Sequence, residues 1–217
     1  MDYDALASHL VQASSKTFTA YAEYALSVQR SAVRRMRTLA LECTLRQRPA
    51  RKKRARFLQK RERDAFKAVS DFAAIRCVTR RVASIRQIHA TLRRAFGDTV
   101  EYDDGAHPNE LSYRIFLRLS NGNAAALPET LRTVLVEVQI AHPLAIAMFD
   151  ETTKALGTRH EGALFVSPRP GAASAYDAVS SFVVSGRKDD KRRALEALRL
   201  AKAPQRLVRR VARHEKK

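Results

Sequence analysis

The sequence predicts an α/β (α+β) chain: a mixed β-sheet of about five strands flanked by helices, with basic helical extensions at both ends. Three observations predict it. Val82, Ile85, Ile88, Leu92 and Phe96 recur at helical intervals directly after an apolar run over residues 73 to 79. Further on, Leu111, Tyr113, Ile115, Leu117 and Leu119 alternate with Ser112, Arg114, Phe116, Arg118 and Ser120. Val134, Val136, Val138 and Ile140 then alternate with Thr133, Leu135, Glu137 and Gln139. A period of two marks strands, and the cations gather outside these segments.

Taken in order, residues 3 to 14 read as a helix. So do residues 17 to about 47, where Phe18, Tyr21, Ala25, Val28, Val33 and Met36 follow helical spacing until Pro49 breaks the pattern. Residues 50 to 70 are strongly basic and then mixed. Phe57, Leu58 and Phe66 there indicate a loop followed by a short helix. The buried strand over 73 to 79 comes next, and the helix from Val82 stops at Gly97-Asp98. A short strand includes Val100 and Tyr102, and an Asp/Gly/Pro-rich loop runs from Asp103 to Asn109.

The two alternating segments, joined through Asn121-Gly122-Asn123, pair as an antiparallel hairpin, with Glu137 and Gln139 on one face and the valines on the other. A helix is expected from Pro143 to Leu156, with the proline in its first turn. Gly157, Gly162, Pro168, Pro170 and Gly171 make residues 157 to 176 a loop or linker. Helices over roughly 189 to 203 and from Gln205 to His214 complete the chain. The expected division is an N-terminal helical region at 1–48, a central α/β domain at 49–156, and a linker with basic helices at 157–217.

The formal charge of +19 is unevenly spread. Residues 30 to 63 carry fourteen Lys/Arg against Glu42 and Glu62, and residues 187 to 217 carry thirteen against four acids. Residues 64 to 186 hold thirteen of each sign. A neutral centre between two basic arms calls for a polyanion: nucleotide phosphates, RNA, or both. Solvated arginine-rich helices are the plainer account of the same pattern. No apolar run reaches the ~18 residues of a membrane span, and Met1-Asp2-Tyr3-Asp4 has no signal-peptide character. Cys43 and Cys77 have no CxxC partner, which implies neither zinc nor a disulfide framework and fits a reducing, cytoplasmic setting. The 6 histidines lack metal-ligand spacing, and neither a Gly-rich phosphate loop nor a nucleophile elbow is present.

Asp71-Phe72-Ala73-Ala74-Ile75-Arg76-Cys77-Val78 and Val136-Glu137-Val138-Gln139-Ile140 each set one acid in an apolar strand pattern. A buried carboxylate costs several kcal/mol unless compensated. Two on neighbouring strands repel unless a divalent cation lies between them, the arrangement of a metal-dependent phosphate-transfer site. Asp71 alternatively caps a turn or pairs with Arg76, Glu137 alternatively sits exposed on an edge strand, and Tyr113 suits a core as well as a stacking platform.

With Asp103-x4-Pro108-x4-Tyr113 added, these segments resemble the RelA/SpoT nucleotidyltransferase-like synthetase domain, over roughly residues 45 to 156. The resemblance implies a small alarmone synthetase. Such an enzyme transfers the β,γ-pyrophosphate of ATP to a ribose 3′-hydroxyl, of GDP or GTP to make (p)ppGpp, or of the tRNA 3′ end in the toxic small members. By resemblance Asp71 holds Mg2+, and Glu137 helps to hold it or takes the hydroxyl proton. Arg51, Lys53, Lys60 and Arg76 hold ATP, Tyr113 stacks on the acceptor base, and Gln139 with Arg114 supports the acceptor. Oligomers occur in the family. The segment before the domain is too short and lacks the His-Asp metal pattern for a hydrolase, so alarmone removal is not expected.

Departures from the family pattern are several. Ser112 replaces the Gly before the tyrosine and Leu117 replaces a His. Tyr102 and Asn109 stand where lysines flank the acceptor loop, Ala141-His142 replaces Arg-Thr, Met148 a Trp, and Thr153 falls near a His position. Arg114 or Arg118 fills the missing phosphate-holding roles, or else the domain no longer does this chemistry and binds RNA or a ribonucleoprotein through its basic arms.

Overall fold

A computed structural model describes residues 2–49, 54–62, 64–103, 111–124, 126–148 and 172–214. Its first helices are α1 (Tyr3–Gln12) and α2 (Ser15–Arg37), N-capped by Asp2 on Ala5 N and by Ser14 on Thr17 N. Strand β1 (Thr44–Pro49), the short helices α3 (Arg54–Arg61) and α4 (Ala65–Ser70), and β2 (Ala73–Val78) follow. Then come α5 (Val82–Phe96), a 3-10 turn, β3 (Val100–Asp103), β4 (Ser112–Leu119) and β5 (Val134–Ala141). Helix α6 is described over 143–148, and α7 (Ala172–Ser185), α8 (Lys188–Leu200) and α9 (Gln205–Ala212) complete the order.

The five strands form one mixed sheet in the order β1-β2-β5-β4-β3. The β1/β2 and β3/β4 pairs are antiparallel, with Arg46 opposite Arg76 and Asp103 opposite Ile115. In β5 the residues Val134, Val136, Val138 and Ile140 are fully buried while Glu137 and Gln139 are half-buried, as the period of two requires.

Contacts divide the chain into two units: residues 1–78, 86–105 and 113–140, and residues 79–85, 106–112 and 141–217. In the first, Phe72 is the hub of an aromatic cluster, with ring centroids 5.0 Å from Tyr21 and 5.5 Å from Phe18 and Phe57. In the second, Leu144, Val179, Phe182, Ala194, Leu198, Leu207 and Val211 form a core that helices α6 to α9 share. Each such side chain contributes about 1.5–3 kcal/mol on full burial.

Two expectations are corrected. The helix expected to about residue 47 ends at Arg37, and residues 44–49 form edge strand β1. Ala40 turns the chain with φ 48 and Cys43 N bonds Leu41 O at 2.7 Å. Backbone pairing to β2, which leaves no side-chain periodicity, holds the polar Thr-Leu-Arg-Gln-Arg segment extended. The loop expected over 157 to 176 gives way at residue 172 to α7, whose residues Ala175, Val179, Phe182 and Val183 face the core. Gly186, at φ 69, closes α7 by donating its N–H to Phe182 O at 2.8 Å. Among the described residues no helix is long and apolar enough to cross a membrane.

Candidate active site

Phe72, buried at the hub of its cluster, fixes the backbone beside Asp71. Asp71 is the C-cap of α4, with φ −75 and ψ −8, and is half-buried at the entry to β2. Helix α4 is itself set by Asp64, which accepts from Lys67 N at 2.9 Å.

Along β2, residues Ala73, Ile75 and Cys77 are buried, and Ala74, Arg76 and Val78 are half-buried. Strand β5 is the neighbour of β2 in the sheet. Arg76 Nε donates to Gln139 Oε1 across this strand pair at 2.8 Å. That bond puts Arg76 and Gln139 on one face, and the pleat adds Glu137, two residues before Gln139, to the same face. The central strand pair β2/β5, otherwise mostly apolar, thus carries a polar strip of a guanidinium, an amide and a carboxylate.

Of the other expected residues, Tyr113 and Arg114 lie on β4, the other neighbour of β5 in the sheet. Tyr113 is 7% exposed, and its ring lies 5.1 Å from the imidazole of His89 on α5, at 39°. His89 Nε2 is 3.0 Å from both carboxylate oxygens of Asp103, and Arg93 Nε is 3.4 Å from Asp103. This His89–Asp103 contact ties α5 to the end of β3. Arg114 is half-buried, and as the residue after Tyr113 it points to the opposite face of β4. Lys60 belongs to α3. Arg51 and Lys53 lie outside the described residues, as do Pro108, Asn109 and Thr153.

Part of the basic N-terminal arm is structural. Arg54 Nη2 donates to Val11 O at 2.7 Å, and Arg61 Nη2 to Ser8 Oγ at 3.1 Å, so α3 is held against α1. Arg35 stacks its guanidinium 4.5 Å from the Phe96 ring.

Among the described residues no group of three or more His, Cys, Asp or Glu could hold a metal. Asp71 and Glu137 are the two carboxylates from which the sequence leads one to expect a magnesium site. That ion keeps several waters and is held by one or two carboxylates plus substrate phosphates.

His142, which the sequence left without a role, is a helix cap. It is 1% exposed. Its Nδ1 accepts from Leu144 N at 3.2 Å and its carbonyl from Ile146 N at 3.2 Å, at the start of α6. Burial, and after it the electrostatic influence of His214 and Arg80, pulls its pKa down to about 4. His followed by Pro and an apolar helix is the signal that could have found it.

No family model matches the chain, and no curated protein does. Solved structures do. The small alarmone synthetase 1 from Bacillus subtilis bound to its product pppGpp is 18% identical, with 76% of this chain and 90% of that one covered at a TM-score of 0.51. Another structure of that synthetase is 19% identical, covering 80% and 96% at 0.50. At such identity the likeness is one of fold: the sheet and its flanking helices are arranged as in those proteins.

Proposed function

We propose that the chain is a pyrophosphokinase that moves the β,γ-pyrophosphate of ATP to a ribose 3′-hydroxyl, with GDP or GTP as the foremost acceptor and the tRNA 3′ end as the other. The observation that carries the proposal is the polar strip of Arg76, Glu137 and Gln139, with Asp71 leading into β2, in the fold of a synthetase whose structure holds pppGpp.

Pyrophosphoryl transfer spreads negative charge over the phosphate oxygens, and catalysis consists chiefly of positioning and of neutralising that charge. Arg76, oriented by Gln139, supplies a fixed guanidinium, and Arg51, Lys53 and Lys60 add the cations that grip the triphosphate. Asp71 and Glu137 would hold Mg2+, which would offset the negative charge that develops on the phosphate oxygens. Glu137 orients the attacking hydroxyl and accepts its proton. Arg114 and Gln139 serve the acceptor, and a base reaches Tyr113 by displacing His89.

A second reading has support of its own. Ser112 is buried where the motif has glycine, and α8 and α9 expose a row of cations that no nucleotide needs. On this reading the domain binds RNA and no longer transfers pyrophosphate.

Incubation of the full chain with γ-labelled ATP and Mg2+, with either GTP or tRNA, separates the two. Label on GTP or tRNA supports transfer and names the acceptor. RNA binding with a steep salt dependence and no labelled acceptor overturns transfer in favour of the binding module.

A further inference from the structure

The chain has 2 cysteines, and the fold brings them together. In the β1/β2 register Leu45 stands opposite Cys77 and Thr44 opposite Val78. Cys43, two residues before Leu45, therefore falls on the same face as Cys77, diagonally across the pair. The two thiols are free and in side-chain hydrogen-bond contact. Cys77 is fully buried, whereas Cys43 is half-buried at the bend that leads into β1.

We infer that Cys43 and Cys77 are a reversible modification site, which a peroxide oxidises to a disulfide that locks edge strand β1 onto β2. Residues 44 to 76, closed into a covalent loop, include α3, α4, Asp71 and Arg76. The inference stands independently of the reaction proposed above.

The hydrogen bond divides the labour between the sulfurs. The Cys77 S–H donates to the Cys43 sulfur, which lowers the Cys43 pKa, while the same bond and burial raise that of Cys77. Cys43 is thus the more accessible and more readily ionised thiol, the character of an attacking cysteine. Its thiolate attacks one peroxide oxygen, the O–O bond breaks, and hydroxide leaves to take up the proton that Cys43 released. The Cys77 sulfur then displaces the oxygen of the resulting sulfenic acid. The S–S bond forms and the hydroxyl leaves with the Cys77 proton as water. Two thiols lose two electrons, and the peroxide becomes two waters.

The test treats the reduced full chain with hydrogen peroxide, then measures intact mass, thiol content and disulfide-linked peptides. The expected result is loss of two hydrogens and of both thiols, a Cys43–Cys77 peptide, and a rise in Tm that dithiothreitol reverses. In Cys43→Ser the cross-link and the Tm rise disappear. In Cys77→Ala, Cys43 stops at the sulfenic acid and is trapped by dimedone. Oxygen added to wild-type Cys43 without a cross-link, chains joined to each other through Cys43, or thiols that survive treatment would overturn the inference.

Discussion

Arg76 of β2 and Gln139 of β5 form a hydrogen bond of 2.8 Å from Nε to Oε1, uniting two residues far apart in sequence on neighbouring strands. One was expected to serve the donor nucleotide and the other the acceptor, so the bond sets the two halves of the proposed reaction side by side. It also limits the freedom of a long side chain before any ligand arrives. A double-mutant cycle on Arg76→Ala and Gln139→Ala, read by urea unfolding, should show a coupling of about 1 kcal/mol, as for a half-buried hydrogen bond with one charged partner. Additive effects would mean that the pair does not hold together in solution.

Glu137 lies on the same half-buried face, and its removal should be felt in chemistry rather than in folding. Asp71→Asn and Glu137→Gln keep size and remove charge. Each should lower pyrophosphate transfer by at least ~100-fold, the scale of losing one group that stabilises transition-state charge. The unfolding free energy from urea titration should stay within the ~0.5 kcal/mol typical of substitutions outside the core. Full activity in either variant would remove that residue from the mechanism.

The strands and helices were legible where burial enforces a period. Val82 to Phe96 and Val134 to Ile140 each alternate apolar and polar residues because one face meets the core, and both appear as expected. β1 was illegible for the opposite reason: an edge strand of Thr, Leu, Arg and Gln is held by backbone bonds, which leave no mark on residue type. Helix α7 was hidden by its composition, since Ala, Ser and Val carry no charged face to set against the buried one. The site was half legible. The strand motif placed Glu137 and Gln139 on one face, but the contact to Arg76 depends on which strands are neighbours. The proximity of Cys43 to Cys77 likewise depends on the β1/β2 register.

His142 makes stability depend on pH. Its Nδ1 must be unprotonated to accept from Leu144 N, and its folded pKa of about 4 lies below the ordinary 6.5. Between these values the unfolded chain binds the proton more readily than the folded one, so stability falls as pH drops from 6.5 towards 4 and this contribution levels off below that. The loss over that range is about 3 kcal/mol, at 1.36 kcal/mol for each unit. Arg80 and His214 are the neighbouring charged and titratable groups, with Lys191 beside His214. Urea unfolding at pH 7 and pH 4.5 should show the drop. His142→Asn keeps an oxygen acceptor at the cap and should remove most of the difference between the two pH values; an unchanged pH dependence would assign the titration to another group.

The C-terminal helices separate charge from core cleanly enough to test the polyanion idea by substitution. Ala194 and Leu198 of α8 and Leu207 and Val211 of α9 are buried, while Lys188, Arg192, Arg193, Arg199, Arg209, Arg210 and Arg213 are exposed. Asp189 and Asp190 offset Arg192 and Arg193 only through i,i+3 pairs at 3.4 and 3.9 Å, which are weak at such exposure. Truncation before residue 187 would remove the buried residues as well and confound charge with unfolding. The combined change Arg199→Gln, Arg209→Gln and Arg210→Gln removes charge alone. If these arginines meet phosphates, RNA affinity should fall and the slope of log affinity against log salt should flatten by about 2 to 3, at roughly 0.7–0.9 for each lost contact. Circular dichroism should be unchanged. An unaltered slope would exclude these three arginines from the RNA contact.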